Sequence, residues 1–234
     1  MEKQFTSKKL TYSDLGLIDY QTAWDLQHKL FEKRRTNKID DTLLLLEHPH
    51  TYTLGKSANK SNLLYDDAEL RKRNISLYNI DRGGDITYHG PGQIVGYAII
   101  DLKNWVQDTH KYLRALEEVI INTLLEFGIQ SERNENHTGV WVNGSKICAI
   151  GIKVSRWISM HGFALNVNTD MELFNGIVPC GIDDKGVTSL SKELNKDIAV
   201  ELVKNSLVNN MNIIFNYNKF EIVDKKEMLR MSLT

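Results

Sequence analysis

The sequence predicts an α+β fold in which helices flank one mainly antiparallel central sheet. Three observations predict it. Asn143-Gly144 joins two apolar runs and is a strong β-hairpin signal. A third apolar run follows at residues 158–167, and segments with apolar residues at helical spacing alternate with these strands. At 234 residues the chain is long enough to bury a substantial core, and we expect one domain over residues 1–234.

The first half of the chain alternates helices and strands. The expected elements are a helix over 20–35, a buried strand over 43–46 that ends at Glu47-His48-Pro49, a short helix over 66–73, a strand over 75–80, a glycine-rich loop over 82–93 and a strand over 94–101. The helix over 20–35 is amphipathic, since Tyr20, Ala23 and Leu30 fall on one face. The run Leu43-Leu44-Leu45-Leu46 is typical of a buried strand, here one that runs into a loop.

The second half contains the hairpin and two longer helices. Asp108 is placed as the N-cap of a helix whose apolar face holds Leu113, Leu116, Ile120 and Leu124, and Gly128 as its C-terminal glycine. Residues 139–142 and 146–154 form the hairpin, and 158–167 completes a three-stranded meander. A last helix is expected over 198–214, within a helical C-terminal portion from about 195 to 234 that is a candidate for a small addition to the domain.

The composition excludes several classes of protein. Lys plus Arg (29) nearly balances Asp plus Glu (30), so no global field attracts nucleic acid or anionic lipid. The basic runs 33–35 and 71–73 are better explained as solvated helix faces. No apolar run reaches the roughly 20 residues that span a bilayer, and the first residues lack the apolar stretch of a secretory signal. We therefore expect a cytoplasmic protein that binds neither nucleic acid nor membrane.

The two cysteines are too few for a disulfide framework, so each is either a core residue or a nucleophile. Cys148 lies within an apolar run and is expected in the core. Cys180 lies in a turn before Gly181, and the pattern alone leaves its reactivity open. A reactive thiol needs a lowered pKa, which Lys146, His89 or His161 can supply. For Lys146 by itself, a solvated lysine beside a turn is the simpler interpretation.

Other chemistries find little support in the sequence. His48-Pro49-His50 is the one paired arrangement of metal-ligand type, and nothing at ligand spacing completes a site, so no metal is expected. No Gly-x-Ser-x-Gly elbow occurs. The segment from Arg82 to Gln93 holds four glycines between two strands, which favours a loop that binds a ligand against bare backbone. A long turn with a structural histidine is the alternative.

Four motifs, in order, resemble the bacterial lipoyl(octanoyl) transferase family. They are Leu45-Leu46-Glu47-His48-Pro49 with Tyr52-Thr53-Leu54-Gly55, Arg82-Gly83-Gly84-x-x-Thr87-Tyr88-His89-Gly90-Pro91-Gly92-Gln93, Lys146-Ile147-x-Ala149-Ile150-Gly151 with His161-Gly162-x-Ala164-Leu165-Asn166, and Pro179-Cys180-Gly181. Together they cover most of a core over about 40–190. The sequence departs from the family pattern at Val178, where the family usually has Asn, and at Cys148, where alanine is common. Neither change affects the proposed nucleophile.

The resemblance implies the residues of the site and the fold shared with lipoate- and biotin-protein ligases. The implied catalytic residues are Cys180, as nucleophile, and Lys146, which lowers the pKa of the thiol and shuttles protons. The implied substrate-binding residues are Arg82, Gly83, Gly84, Asp85, Ile86, Thr87, Tyr88, His89, Ala149, Ile150, Gly151, Gly162, Phe163 and Ala164.

The resemblance also implies the reaction and the partners. Octanoyl passes from an acyl carrier protein through a cysteine thioester to a lysine of lipoate-dependent proteins, namely the lipoyl domains of 2-oxoacid dehydrogenases and the glycine cleavage H protein. The chemistry needs no cofactor, and a monomer is expected. Two alternatives remain: an ATP-dependent lipoate or biotin ligase, in which Cys180 is incidental, and a catalytically silent module that binds acyl groups or carriers.

Overall fold

The computed structural model describes residues 8–178 and 186–231. The helices of this part of the chain are α1 (Tyr20–Arg35), α2 (Asp67–Lys72), α3 (Thr109–Glu126), α4 (Leu190–Leu194), α5 (Val200–Phe215) and α6 (Lys225–Met231). The strands are β1 (Lys9–Leu17), β2 (Asp41–Glu47), β3 (Thr51–Leu54), β4 (Ser76–Asn79), β5 (Ile86–His89), β6 (Gln93–Ile99), β7 (Glu132–Arg133), β8 (Val140–Val142), β9 (Ser145–Ser155), β10 (Ile158–Asn166) and β11 (Lys219–Ile222).

An 8-stranded sheet forms the centre of the fold, in the order β11-β1-β2-β6-β10-β9-β8-β7. The pairs from β2 to β7 are antiparallel, whereas β1 is parallel to both of its neighbours. The hairpin between β8 and β9 turns at Asn143 (φ 48°) and Gly144 (φ 78°), as an Asn-Gly turn requires. The prediction of a mainly antiparallel sheet with flanking helices is confirmed.

Both faces of the central sheet are covered, which explains the continuous leucine run in β2. Leu43 and Leu45 lie in a core cluster with α3 and α5, and Leu44 and Leu46 lie in a second cluster with α1 on the opposite face. Alternate residues of a strand point to opposite faces, so a strand between two helical layers needs apolar residues at every position.

The helix ends follow the sequence closely. Asp108 caps α3 by accepting hydrogen bonds from the amides of His110 (2.9 Å) and Lys111 (3.0 Å). Gly128 follows α3 with φ 79°, the left-handed conformation that glycine adopts without a steric cost. None of the helices in the described part of the chain combines the length and apolar character that a bilayer crossing requires.

Several parts of the fold differ from the sequence prediction, which contained no counterpart of β1, β3 or β7. The glycine-rich segment is not a loop throughout, because Ile86–His89 forms β5, which pairs with β3 in a 3-stranded sheet of order β4-β3-β5. The C-terminal portion is not a separate helical addition, because its strand β11 pairs with β1 at the edge of the central sheet. Helix α5 also buries Val203, Leu207 and Met211 in the α3-side core.

Candidate active site

A pocket lies between the central sheet, the 3-stranded sheet and α1. Its walls come from the segment after Asp81, from β9 and β10, and from the start of α1. The lining residues are Tyr20, Arg82, Gly84, Asp85, Ile86, Thr87, His89, Val95, Tyr97, Thr138, Lys146, Ala149, Ile150, Gly151, His161, Gly162, Phe163 and Ala164.

Small residues on the two central strands make room for this pocket. Gly151 and Gly162 are paired across β9 and β10, and Ala149 pairs with Ala164. A Cβ at Gly162 would lie 2.2 Å from the carbonyl oxygen of Gly96 on β6. Glycine is therefore required at 162 because the backbones of β6 and β10 approach too closely for any side chain.

Arg82 is buried and holds the glycine-rich segment against β3. Its Nη2 donates to the carbonyl and the hydroxyl of Thr53, each at 2.9 Å. A Cβ at Gly55 would lie 2.3 Å from the carbonyl oxygen of Gly84, so the two segments touch backbone to backbone. This close packing presents Gly84 and Asp85 at the pocket.

His89 is buried in the pocket wall and is neutral. Burial lowers its pKa well below the usual value, and the neighbouring His48 lowers it further. Its Nδ1 donates to Oε1 of Gln93 at 2.9 Å. Gln93 in turn donates to Oδ1 of Asn166 at 2.9 Å. A neutral ring cannot supply the imidazolium that would lower the pKa of a thiol.

His48 lies behind His89 and is also neutral. Burial lowers its pKa to about 4. Nδ1 lies 2.8 Å from the carbonyl oxygen of Ile18, which can only accept, so this nitrogen carries the proton. Nε2 then accepts a hydrogen bond from the hydroxyl of Tyr97 at 2.7 Å. The Tyr97 ring is thereby fixed in the wall of the pocket.

His161 lines the pocket in a strained conformation. Its φ is 58° within strand β10, and its amide donates to Oε1 of Gln27 at 2.9 Å. Nε2 lies 2.9 Å from Oδ1 of Asp81. Burial lowers the pKa of His161, although the hydrogen bond and the charge of Asp81 act to raise it. The pKa of Asp81 lies well below its usual value because His161 and Lys153 donate hydrogen bonds to its carboxylate. We assign a neutral His161 that donates to an ionised Asp81.

Lys146 lines both the pocket and an outer groove, at an irregular point of β9. Trp141 pairs with Lys146 but Val140 pairs with Cys148, so β9 carries one extra residue, a bulge that re-aims a side chain. The Lys146 side chain is buried, and its ammonium lies 4.8 Å from the centre of the Trp141 ring. Its amide donates to the carbonyl of Gly186 at 2.9 Å, and its carbonyl accepts from Thr188 at 3.0 Å.

The two cysteines differ in what the structure describes. Cys148 is fully buried in the α3-side core, and burial raises the pKa of its thiol. A buried thiol of raised pKa is unreactive, which agrees with the core position expected for it. Cys180 lies outside the described residues, between Val178 and Gly186. The amide of Val178 donates to the carbonyl of Asn62 at 2.8 Å.

Most of the substrate-binding residues expected from the sequence line this one pocket. Two do not. Tyr88 points to the other side of β5, where its ring packs against Phe174 and its hydroxyl contacts Nδ1 of His50 at 2.8 Å. Gly83 instead lines an outer groove. Neighbouring residues of a strand point to opposite faces, so Tyr88 points away from the pocket that Thr87 and His89 line. A prediction of a loop over these residues does not imply this difference.

The sequence did not single out Tyr20, Val95, Tyr97 or Thr138, which also line the pocket. Tyr20 was assigned only to the apolar face of α1, and Val95 and Tyr97 only to a strand. Their order along the chain contains no signal that could have placed them at a site. Within residues 8–178 and 186–231, no group of three or more His, Cys, Asp or Glu side chains is arranged to hold a metal ion.

Comparison with known proteins supports one family. The lipoyl protein ligase A/B catalytic domain matches residues 19–212. An octanoyltransferase of Cytophaga hutchinsonii is 48% identical over 229 residues, which cover 90% of this chain and 94% of the relative. An octanoyltransferase of Rubrobacter xylanophilus is 55% identical over 195 residues, covering 82% and 87% of the two chains.

Solved structures share the fold at low sequence identity. Lipoate-protein ligase A bound with ATP has a TM-score of 0.76 and 14% identity, over 96% of this chain and 93% of that chain. A biotin protein ligase from Aquifex aeolicus in complex with biotin and ATP has a TM-score of 0.53 and 14% identity, over 89% and 71%. These likenesses concern the fold alone, whereas the high identities lie with transferases, so the ligase alternative is the less supported one. The chain therefore belongs to the lipoyl protein ligase A/B catalytic domain family and, within it, to the octanoyltransferases.

Proposed function

We propose that this octanoyltransferase works by covalent catalysis, with Cys180 as the nucleophile and Lys146 as its acid and base. The observation that carries the proposal is that the buried side chain of Lys146 lines both the pocket and the groove beside it. Its backbone is bonded to Gly186 and Thr188, which follow the Cys180 segment in the chain. A lysine held in this way can exchange protons at the point where an acyl group enters.

The pocket is the proposed site of the octanoyl chain. Its deeper walls are formed by Val95, Ala164, Gly162 and the rings of Tyr20 and Tyr97. Burial of about six methylenes at ~0.8 kcal/mol each contributes roughly 5 kcal/mol of binding free energy. Because each methylene contributes about the same amount, the preference for chain length is graded.

In the first half-reaction, the Cys180 thiolate attacks the carbonyl carbon of the octanoyl thioester. A new C–S bond forms, the C–S bond to the carrier breaks, and the departing thiolate takes a proton from the Lys146 ammonium. In the second, the neutral amine of the acceptor lysine attacks the acyl-enzyme. The amine gives a proton to the now neutral Lys146, and the Cys180 thiolate leaves. Both side chains then return to their initial states.

The donor in this scheme is an octanoyl-acyl carrier protein. The acceptors are lipoyl domains of 2-oxoacid dehydrogenases and the glycine cleavage H protein, and the reaction takes place in the cytoplasm. One of the solved structures with this fold is of a bipartite lipoate protein ligase and its E2 lipoyl domain from Thermoplasma acidophilum, with a TM-score of 0.74 and 16% identity. Exchange of one thioester for another conserves the activated bond, so the scheme uses no ATP and no cofactor.

Intact-protein mass spectrometry tests the covalent mechanism. Wild type, Cys180→Ala and Cys148→Ala are mixed with octanoyl-acyl carrier protein without ATP. We expect one octanoyl adduct on wild type and on Cys148→Ala, none on Cys180→Ala, and discharge of the adduct when a lipoyl domain is added. Cys148→Ala is the matched control, because it removes the other thiol of the chain.

The same experiment separates the transferase mechanism from that of a ligase. If no variant forms an adduct, and the acceptor is modified only after ATP and free octanoic acid are added, the covalent mechanism is wrong. An adduct on Cys180→Ala that disappears in Cys148→Ala would assign the nucleophile to the other cysteine.

A further inference from the structure

An open groove of about 1280 Å³ runs beside β9, outside the acyl pocket. Its apolar floor includes Ile152 and Val154 of β9, and Leu113 of α3 forms part of the opposite wall. Gly83 and Gly84 line it on the side of the 3-stranded sheet. All five are partly or fully exposed, so the groove is open to solvent.

The groove joins the acyl pocket at Lys146. Lys146, Gly84 and Gly151 line both cavities. The buried rings of Tyr20 and Tyr97 line the acyl pocket but not the groove. When the octanoyl chain fills the pocket and its thioester lies beside Lys146, the groove therefore offers a path for the part of the donor beyond the sulfur.

The edge of β9 that faces the groove has hydrogen-bonding groups to offer. Strand β8 pairs with β9 only as far as Cys148, and in the described part of the chain no strand pairs with that edge from Ala149 to Ser155. The amide of Gly83 donates to the carbonyl of Ile152 at 2.9 Å, so this edge faces the segment that borders the groove. Seven residues at about 3.3 Å each give an edge roughly 20 Å long.

We propose that this groove binds the amide-bearing thiol arm of the donor, a chain of the pantetheine type. The inference rests on the function proposed above and assigns a second binding site to it. Extended amide groups bind the hydrogen-bonding groups of this β9 edge that Gly83 leaves available, in the manner of an added strand. The carbon segments between them lie on Ile152 and Val154. An acyl group in the pocket and an arm in the groove together place the thioester at Lys146.

The test compares octanoyl thioesters of increasing arm length: ethanethiol, N-acetylcysteamine and pantetheine. The rate of acyl-enzyme formation is followed by mass spectrometry on the full chain. For wild type we expect kcat/KM to rise by about 10-fold or more from the first to the last, because each arm hydrogen bond adds affinity. In Ile152→Trp, whose indole fills the groove, we expect the rise to disappear.

Two further variants control for damage to the fold. Ile222→Trp makes the same change on β11, at the opposite edge of the sheet, where the side chain is 69% exposed, and it should behave as wild type. Leu113→Trp fills the groove from α3 instead of β9 and should repeat the effect of Ile152→Trp. The thermal unfolding midpoint of each variant checks that it folds.

The outcomes separate the groove from the transferase mechanism. If wild type reacts equally with all three thioesters, or if the rise persists in both groove variants, the groove assignment is overturned while the covalent mechanism stands. If none of the thioesters acylates wild type, the proposed function fails and the groove assignment fails with it.

Discussion

Gln93 donates from Nε2 to Oδ1 of Asn166 at 2.9 Å, and this bond joins β6 to β10 behind the acyl pocket. Both side chains are buried. The side-chain oxygen of Gln93 accepts a hydrogen bond from His89 in the pocket wall. The side-chain amide of Asn166 donates to the carbonyl of Thr188 at 3.0 Å. Because Thr188 donates to the carbonyl of Lys146, the pair connects the pocket wall to the backbone that holds the proposed acid and base.

Asn166→Ala should therefore lower kcat more than it raises KM for the octanoyl donor. The substitution removes one of the two acceptors of the buried Gln93 amide, which still donates to the Tyr88 carbonyl, and removes the Asn166 donor to the Thr188 carbonyl. We expect this to cost about 1–3 kcal/mol of unfolding free energy. It also loosens the segment that fixes Lys146, without touching the acyl chain. Steady-state kinetics and urea unfolding measure the two effects.

Gln21→Ala is the control for this network. Gln21 is exposed and donates only to Asp25 on the same helix at 2.8 Å. We expect neither kinetics nor stability to change by more than a small amount. An Asn166→Ala enzyme with unchanged kcat would show that the network plays no part in positioning Lys146.

Lys146→Arg should separate the two half-reactions. A guanidinium keeps the positive charge that favours the Cys180 thiolate, but it cannot accept the proton of the acceptor amine. We expect the acyl-enzyme still to form, although more slowly because the guanidinium does not protonate the departing thiolate. Its discharge to a lipoyl domain should slow further, by about 10²- to 10⁴-fold. Quenched-flow mass spectrometry measures both steps. Lys192→Arg changes an exposed lysine on α4 and should leave the rates of both half-reactions unchanged. A normal rate of discharge in Lys146→Arg would refute the role of Lys146 as a base.

Gly162→Ala should destabilise the protein by about 3 kcal/mol, the upper part of the range for overpacking. The new methyl would lie 2.2 Å from the Gly96 carbonyl oxygen and would force β6 and β10 apart. Gly83→Ala is the comparison, since its Cβ would lie 3.4 Å from the nearest atom, an ordinary contact. Urea unfolding should show the loss only for Gly162→Ala; equal stabilities would mean that the two strands can separate freely.

Acid should destabilise the protein through its buried neutral histidines. Burial lowers the pKa of His48 to about 4, below the value of about 6.5 expected for the unfolded chain. The unfolded state then binds more protons, so the stabilisation is present above pH ~6.5 and is lost as the pH falls to about 4. For His48 alone the loss reaches about 3 kcal/mol.

Urea unfolding at pH 7.5, 6 and 4.5 measures this dependence. His48→Gln should lower stability at pH 7.5 and flatten its pH dependence, because an amide does not titrate in this range. His110→Gln removes an exposed histidine at the start of α3 and should leave the slope unchanged. A slope that His48→Gln does not change would show that His48 is not the group that titrates.

Alkylation should distinguish the two thiols in the native protein. Burial raises the pKa of Cys148, and its side chain is inaccessible, so iodoacetamide should modify it only after unfolding. We expect Cys180 to react in the native state and octanoyl-acyl carrier protein to protect it. Peptide mapping by mass spectrometry gives the site, and rapid labelling of native Cys148 would contradict the buried position.

Local chemistry along the chain was enough to predict much of the fold. Periodicity placed α1 and α5 to within a few residues, Asp108 and Gly128 marked the ends of α3, and Asn143-Gly144 marked the hairpin. The family motifs also predicted octanoyl transfer, which the curated relatives confirm. These features could be predicted because each depends on residues close together in the sequence.

The tertiary structure decided the features that depend on residues far apart in the chain. Strand β5 was missed because its glycine neighbours resemble a loop and its partner β3 lies more than 30 residues earlier. Strand β11 is short and forms only beside β1, from the other end of the chain. The sequence by itself determined the local elements, the motifs and the class of reaction. Only the folded chain placed Tyr20 and Tyr97 in one pocket with Lys146, because the pairing of distant strands, rather than local preference, determines which side chains meet.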